Sequence, residues 1–210
     1  MIHLLIADDH PIFLKGLKEI IESEENYKVV CQAANGRDAV AGAKSYHPEI
    51  VILDIDMPAM NGLDAAQAIL ADRPGTQVIV LTMHKDKHVL LRALELGICG
   101  YVLKENAVSD ILLAIYAVRE NNTYLSPEIS DYLQKKRTDK APLENIPSFD
   151  TLTPAEKNVL RMIAAYQSTK DIAAQLFISP KTVSNHRQNI AQKLGLSGKN
   201  ALLRFAVENL

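Results

Sequence analysis

Five short apolar runs alternate with helix-patterned segments over residues 1–121, and this alternation constrains the fold more than any other feature of the chain. The runs are Ile2–Ala7, Lys28–Cys31, Ile50–Leu53, Val78–Thr82 and Gly100–Leu103. A short, continuous apolar run bounded by turn residues reads as a strand buried on both faces. Helical spacing appears near residues 11–24, 36–46, 62–72, 86–97 and 107–121; in the first of these, Leu14, Leu17, Ile20 and Ile21 share one face. Repeated βα units predict a doubly wound, five-stranded parallel sheet wrapped by helices on both sides, an α/β domain. No repeat at solenoid periods is present.

A parallel sheet brings the C-terminal ends of its strands to one edge, where α/β proteins carry their chemistry. Asp8 and Asp9 follow the first run, Asp54 ends the third, Thr82 ends the fourth and Lys104 follows the fifth. In Ile50–Pro58 four apolar residues run straight into Asp54, and Met57-Pro58 then breaks the run. Carboxylates gathered this closely repel unless a cation sits among them. An oxygen-only donor set with few protein ligands suits Mg²⁺. A carboxylate beside such an ion is a nucleophile toward a phosphoryl group. The ion and Lys104 would neutralise the transferring oxygens, and Thr82 stands where it would hydrogen-bond the bound group. Asp54 is therefore the candidate carrier of a switchable charge.

The rest of the chain has a different character. Residues 1–147 carry 15 Lys+Arg against 21 Asp+Glu, while residues 148–210 carry 8 against 4. An acidic front half joined to a basic tail points to an anionic partner for the tail. From about Tyr132 the βα pattern fails, and the polar stretch Gln134–Pro142 with Pro147 reads as a linker. The division expected is 1–125, a linker over 126–148, and 149–210. The last segment reads as all-α with four helices. Thr153-Pro154-Ala155-Glu156 is a capping-box start, Ser168 caps a second helix, Ser179-Pro180 opens a third reaching about Leu194, and Lys199–Asn209 makes a fourth. The second and third fit helix-turn-helix geometry. On the third, Val183, Ile190 and Leu194 share a packing face, leaving Lys181, Ser184, Asn185, Arg187 and Gln188 outward. Asn and Gln read adenine edges, whereas Lys and Arg bind phosphate or guanine.

These motifs together resemble the NarL/FixJ family of bacterial response regulators: a CheY-like, flavodoxin-like receiver followed by a LuxR-type DNA-binding domain. The receiver residues are Asp8-Asp9, Leu53–Pro58 with Gly62, Leu81-Thr82 and Gly100–Lys104. The LuxR-type residues are Leu152–Glu156, Lys170–Ala173, Ile178-Ser179, Thr182-Val183, His186, Asn189-Ile190 and Lys193–Gly195. The resemblance implies that Asp54 accepts phosphate from a sensor histidine kinase or a small phosphodonor. It implies Mg²⁺ held by Asp9, Asp54 and the backbone carbonyl of Asp56, with Asp8 helping through water. It assigns Lys104 to the phosphoryl oxygens, Thr82 to signal reading, and Tyr101 to an aromatic switch whose ring turns inward. Asp56 and His84 occupy positions where receivers tune phosphate lifetime. Thr182 and Lys193 join the DNA-contacting set, and the fourth helix, with Leu202, Leu203, Phe205, Ala206 and Val207, pairs two domains in an active homodimer on a pseudo-palindromic duplex site. Three positions depart from the pattern: Ala155 replaces an arginine and loses its ion pair, Tyr166 stands where glycine is common, and Ser184 replaces a lysine.

Several other classes are disfavoured. Asp54-Ile55-Asp56 is also the Asp-x-Asp of haloacid-dehalogenase phosphatases, but here it follows a third strand, not a first, and Met57-Pro58 follows it. No enzyme acting on an outside substrate is expected; the receiver would catalyse only its own phosphate gain and loss. No apolar stretch approaches the ~20 residues of a membrane span, and the N-terminus lacks signal-peptide character. Cys31 and Cys99 lie in apolar runs and read as free thiols of a cytoplasmic protein. The rival reading is a phosphorylation-independent DNA-binding regulator whose receiver serves only to dimerise. A protein-binding tail is disfavoured by its charge and its outward Asn and Gln.

Overall fold

The computed structural model describes residues 1–129, 151–198 and 200–210. It separates into two compact units, Met1–Ser126 and Pro127–Leu210. The polar stretch read as the linker lies largely outside the described residues.

The first unit contains β1 (Ile2–Ala7), β2 (Tyr27–Ala33), β3 (Ile50–Asp54), β4 (Gln77–Thr82), β5 (Gly100–Leu103) and β6 (Tyr124–Leu125), in sheet order β2-β1-β3-β4-β5-β6. All five pairings are parallel. The first five strands are those expected. The sixth was not: two residues are too few to show a period, and they pair only with Gly100 and Tyr101. The register puts Ala7, Leu53, Val80 and Tyr101 in one row. Asp8 and Asp54 therefore follow side by side, with Thr82 and Lys104 just beyond on the same edge.

The helices are α1 (Pro11–Glu22), α2 (Gly36–Tyr46), α3 (Gly62–Asp72), α4 (Lys87–Glu95) and α5 (Ala107–Arg119). Strand alternation decides where they pack. Leu4, Ile6, Ile50, Ile52, Ile79 and Leu81 form one core with Leu14, Leu17 and Ile21 of α1 and Ile111, Ile115 and Val118 of α5. Each fully buried Leu or Ile there contributes ~1.5–3 kcal/mol. The opposite face takes α2, where a β-carbon on Gly42 would stand 2.5 Å from Cys31 Sγ and 3.0 Å from Leu5 Cδ1. Caps fix the helix starts: Asn35, Asn61 and Asp86 accept backbone N–H groups of α2, α3 and α4.

Among the described residues the second unit contains α6 (Pro154–Ala164), α7 (Thr169–Leu176), α8 (Pro180–Lys193) and α9 (Ala201–Asn209). Capping boxes at Thr153 and Ser168 start α6 and α7, and Ser179 caps α8. Val159, Leu160, Ile163, Ile172, Val183, Ile190 and Ala206 are buried. The helix-turn-helix expected from the caps is present as α7 and α8. Its turn carries Phe177 at φ 55, and the preceding turn carries Tyr166 at φ 59, both left-handed.

Candidate functional site

The strand ends build a small, charged, mostly buried pocket. Asp54 and Asp8 are shut off from solvent, while Asp9 is partly open. Lys104 reaches back over the edge, its Nζ 2.7 Å from Asp54 Oδ2 and 2.8 Å from Asp8 Oδ2. Phe13 lies beneath that ammonium, ring centroid 5.3 Å away. Gly62 lets the start of α3 close on the site: a β-carbon there would lie 2.0 Å from the Asp54 carbonyl oxygen, and Gly62 N–H donates to Ile55 O.

Burial pushes the Asp54 carboxyl above its ordinary range and the Asp8 charge adds to this, against the opposing pull of Lys104 and the Asp56 N–H. For Lys104, burial alone would lower the ammonium, but hydrogen bonds to Asp54 and Asp8 outweigh it and the pKa rises. The lysine stays charged and splits its bonding between two carboxylates.

Sequence reasoning missed His10. Its Nδ1 lies 3.0 Å from Asp8 Oδ1 and 2.7 Å from Asp9 Oδ1, and its N–H also donates to Asp8. Asp8, Asp9, His10 and Asp54 each present a ligand atom within 4.8 Å of the others. The only available signal was adjacency to the aspartate pair. The donor set is dominated by carboxylate oxygens, two of them on side chains shut off from solvent, which fits a hard divalent cation.

The readout groups lie beside this pocket. Thr82 is fully buried, its Oγ1 accepting from His84 N at 2.9 Å. Tyr101 stands inward, with its hydroxyl donating to His84 O at 3.1 Å. Burial raises its phenol pKa. His84 Nε2 is 2.9 Å from Asp56 Oδ2, bridging the loops after β4 and β3. Asp54, Thr82, Tyr101, Lys104, Asp56 and His84 are thus gathered at one edge.

On the helical unit, Lys181, Ser184, Asn185 and Gln188 are exposed on α8, whereas Thr182 and Arg187 are half-buried. Two hydroxyls are already engaged: Thr182 Oγ1 with Ser179 Oγ at 2.8 Å, and Ser184 Oγ donating to Pro180 O. Lys193 has a partner within the unit: its ammonium lies 2.7 Å from Glu156 Oε2, tying the end of α8 to the start of α6. Glu156 therefore has a cation partner despite Ala155. Leu202, Leu203, Ala206 and Val207 of α9 are buried, and Phe205 is half-exposed.

A parallel sheet with carboxylates, a lysine and a hydroxyl at one edge, followed by a helix-turn-helix unit, defines a receiver-type signalling protein with an output domain. Residues 4–116 match the response regulator receiver domain, and residues 150–206 match the bacterial regulatory proteins of the luxR family. The chain belongs to the two-component response regulators with a LuxR-type DNA-binding domain, and is a DNA-binding transcription regulator. It is 33% identical over 211 residues to the oxygen regulatory protein NreC of Staphylococcus epidermidis, covering 98% of this chain and 96% of that one. It is 31% identical over 208 residues to the transcriptional regulatory protein MctR of Rhizobium johnstonii, covering 99% and 94%. Among solved structures it is similar to the RcsB response regulator of Salmonella typhimurium, with TM-score 0.61, 30% identity and 98% of each chain covered. An RcsB–DNA complex matches with TM-score 0.60 and 29% identity, covering 100% of this chain and 98% of that one.

Proposed function

We propose that Asp54 is the phosphoacceptor and that its phosphorylation controls dimerisation and sequence-specific DNA binding. The observation that carries this is the buried Asp54 carboxylate bonded at 2.7 Å to Lys104 and flanked by Asp8, Asp9 and Thr82. A carboxylate oxygen of Asp54 attacks the phosphorus of a phosphohistidine on a sensor histidine kinase, or of a small phosphodonor. The new P–O bond forms as the bond to the leaving group breaks. Lys104 transfers its attraction to a phosphoryl oxygen, and Thr82 turns its hydroxyl from accepting His84 N–H to donating to the phosphoryl group. Asp8, Asp9, Asp54 and the Asp56 carbonyl would hold Mg²⁺, which supplies charge neutralisation when bound. Asp56 and His84 flank the acylphosphate and set how long it lasts. The protein acts on no outside substrate.

Tyr101 is buried with its hydroxyl on His84 O, so phosphorylation shifts the population toward an arrangement the fold already accommodates. Exposed apolar side chains on the receiver, Ile12, Val108, Leu113 and Tyr116, supply a self-association surface. Two copies then present Lys181, Asn185, Arg187 and Gln188, with Thr182 and Ser184 on the same helix, to the half-sites of a pseudo-palindromic duplex. No helix among the described residues is long and apolar enough to cross a membrane, in keeping with work on cytoplasmic DNA.

Acetyl phosphate with Mg²⁺ followed by intact mass tests this. Wild type gains one phosphoryl group, and Asp54→Asn gains none. Wild type without an adduct but with DNA binding intact would replace this reading by a phosphorylation-independent regulator.

A further inference from the structure

The segment that leaves the receiver is held by a buried polar network that the phosphotransfer chemistry does not use. Ser126 is fully buried and Asp110 is 6% exposed. Ser126 Oγ donates to Asp110 Oδ2 at 2.6 Å and accepts Leu103 N–H at 3.1 Å. Ser126 N–H donates to Tyr101 O at 2.9 Å, and Ser109 Oγ donates to the other oxygen of Asp110 at 2.9 Å. Among the described residues no cation pairs with Asp110; its support is hydroxyl donors and the first turn of α5.

A buried carboxylate without a cation is costly, and a two-residue strand does not hold itself. The network sits where it fastens β6 and Ser126 to β5. That strand is the one whose residues answer to the pocket. Tyr101, which bonds Ser126 through its carbonyl, carries the inward ring. Leu103, which bonds Ser126 through its N–H, directly precedes Lys104. Pro127, the next residue after Ser126, opens the second compact unit.

We infer that Ser126 and Asp110 form a coupling pin: positioning residues that carry displacements of Tyr101 and Lys104 along β5 into the backbone entering the output unit. The pin rests on the reading of Asp54 as phosphoacceptor. When the Lys104 ammonium follows a phosphoryl oxygen, the Leu103 N–H moves with the peptide before it. The Ser126 hydroxyl accepts that N–H and is held at its other end by Asp110, so the shift is passed to Ser126 rather than absorbed by a slack chain. Side chains that merely stabilised β6 would be replaceable by apolar ones without loss of signal.

The test uses the full chain with acetyl phosphate and Mg²⁺. Intact mass reports phosphate on Asp54, and hydrogen–deuterium exchange reports the amides of Leu103, Ser126 and residues 128–129. Anisotropy with a labelled random-sequence duplex at low salt reports DNA affinity. In wild type, phosphorylation changes the exchange of Leu103 and Ser126 together and shifts DNA affinity by at least ~5-fold, the low end of ordinary coupling. Ser126→Ala takes up phosphate as wild type does, yet its affinity shift falls within ~2-fold and residues 128–129 stop responding. Ser126→Thr, which keeps the hydroxyl, restores both. Should Ser126→Ala fail to fold, Asp110→Asn, which keeps the shape and withdraws the charge that holds the hydroxyl, is read in the same way. Full coupling in the folded Ala or Asn variant overturns the pin, as does loss of phosphate uptake, which would place these residues in building the pocket. Wild type that takes no phosphate refutes the Asp54 reading itself, whereas wild type that takes phosphate without any response at Ser126 refutes only the pin.

Discussion

Replacing Lys193 with methionine removes the cation from Glu156 while leaving an unbranched chain of similar length on α8. Glu156 is 3% exposed. It accepts from Lys193 Nζ at 2.7 Å, Thr153 N at 2.8 Å and Thr153 Oγ1 at 2.9 Å. The Lys193 hydrogen bond is the main reason its carboxyl sits at about 2 instead of 4.5; burial opposes it and Thr153 assists. Taken in full, that drop corresponds to ~3 kcal/mol. The Lys193 side chain is 37% exposed, however, and water on that side screens the pair. Exposed pairs give ~0–1 kcal/mol, so this half-covered one contributes about 1–2 kcal/mol at pH 7. A carboxyl depressed in the folded state stabilises fully above its unfolded value of 4.5 and loses that contribution as pH falls toward about 2. Lys193→Met should therefore cost ~1–2 kcal/mol near neutrality and converge with wild type in acid. The carboxyl itself should rise toward 4.5, held back by Thr153 alone. Thermal unfolding by circular dichroism measures the first effect, with hydrogen exchange in α6 and α8 assigning the transition that moves. Carboxyl carbon NMR across pH measures the second. A Glu156 carboxyl that stays near 2 in the variant would show that the capping box alone holds the charge, and the argument would fail.

Asp54→Asn removes a carboxyl whose pKa is raised by burial and by Asp8, so the variant should melt higher than wild type at pH 7 in chelator. Because a raised carboxyl penalises the fold only once ionised, that advantage should shrink as pH falls through the folded-state value toward 3.8; added Mg²⁺ should stabilise wild type more than the variant. Gly62→Ala places a β-carbon 2.0 Å from the Asp54 carbonyl oxygen, so the backbone must shift. A loss of ~2–4 kcal/mol and slower phosphate uptake are expected by thermal melt and intact mass. Phe177 is 95% exposed at φ 55, so Phe177→Gly relieves a left-handed strain with little packing to lose; urea unfolding should show a gain of ~0.5–1 kcal/mol.

What the sequence discloses here is what local chemistry dictates. The runs ending in Asp54 and Thr82 are legible because period, length and punctuation all lie within a few residues, and parallel topology then fixes which ends meet. The caps at Thr153, Ser168 and Ser179 are legible for the same reason. The Lys193–Glu156 pair was not legible because the two residues are 37 apart and the rotation of α8 about its axis decides whether the ammonium meets Glu156. β6 and its Ser126–Asp110 lock were invisible because two residues show no alternation, and a buried hydroxyl looks like any loop serine. His10 was passed over since its bonds run to residues beside it, where the pattern directs attention to the carboxylates alone.

The charge balance of the pocket argues that its signal must travel through contacts. Three carboxylates, Asp8, Asp9 and Asp54, are set against one ammonium, Lys104, an excess of two carboxylates that a divalent cation offsets. A phosphoryl group adds about −1.5 to −2 more. At physiological salt such a change is screened over about 8 Å of solvent, and the pocket's cation, Lys104, is already set against Asp8 and Asp54. Residues farther along the chain therefore respond through groups that physically move. On the proposed reading Thr82 and Lys104 would touch the phosphoryl group, and only Lys104 continues directly from β5. That strand bonds β4 along one edge and the departing Tyr124–Ser126 segment along the other. A change felt at Lys104 would thus have to cross only one strand to reach the end of the receiver.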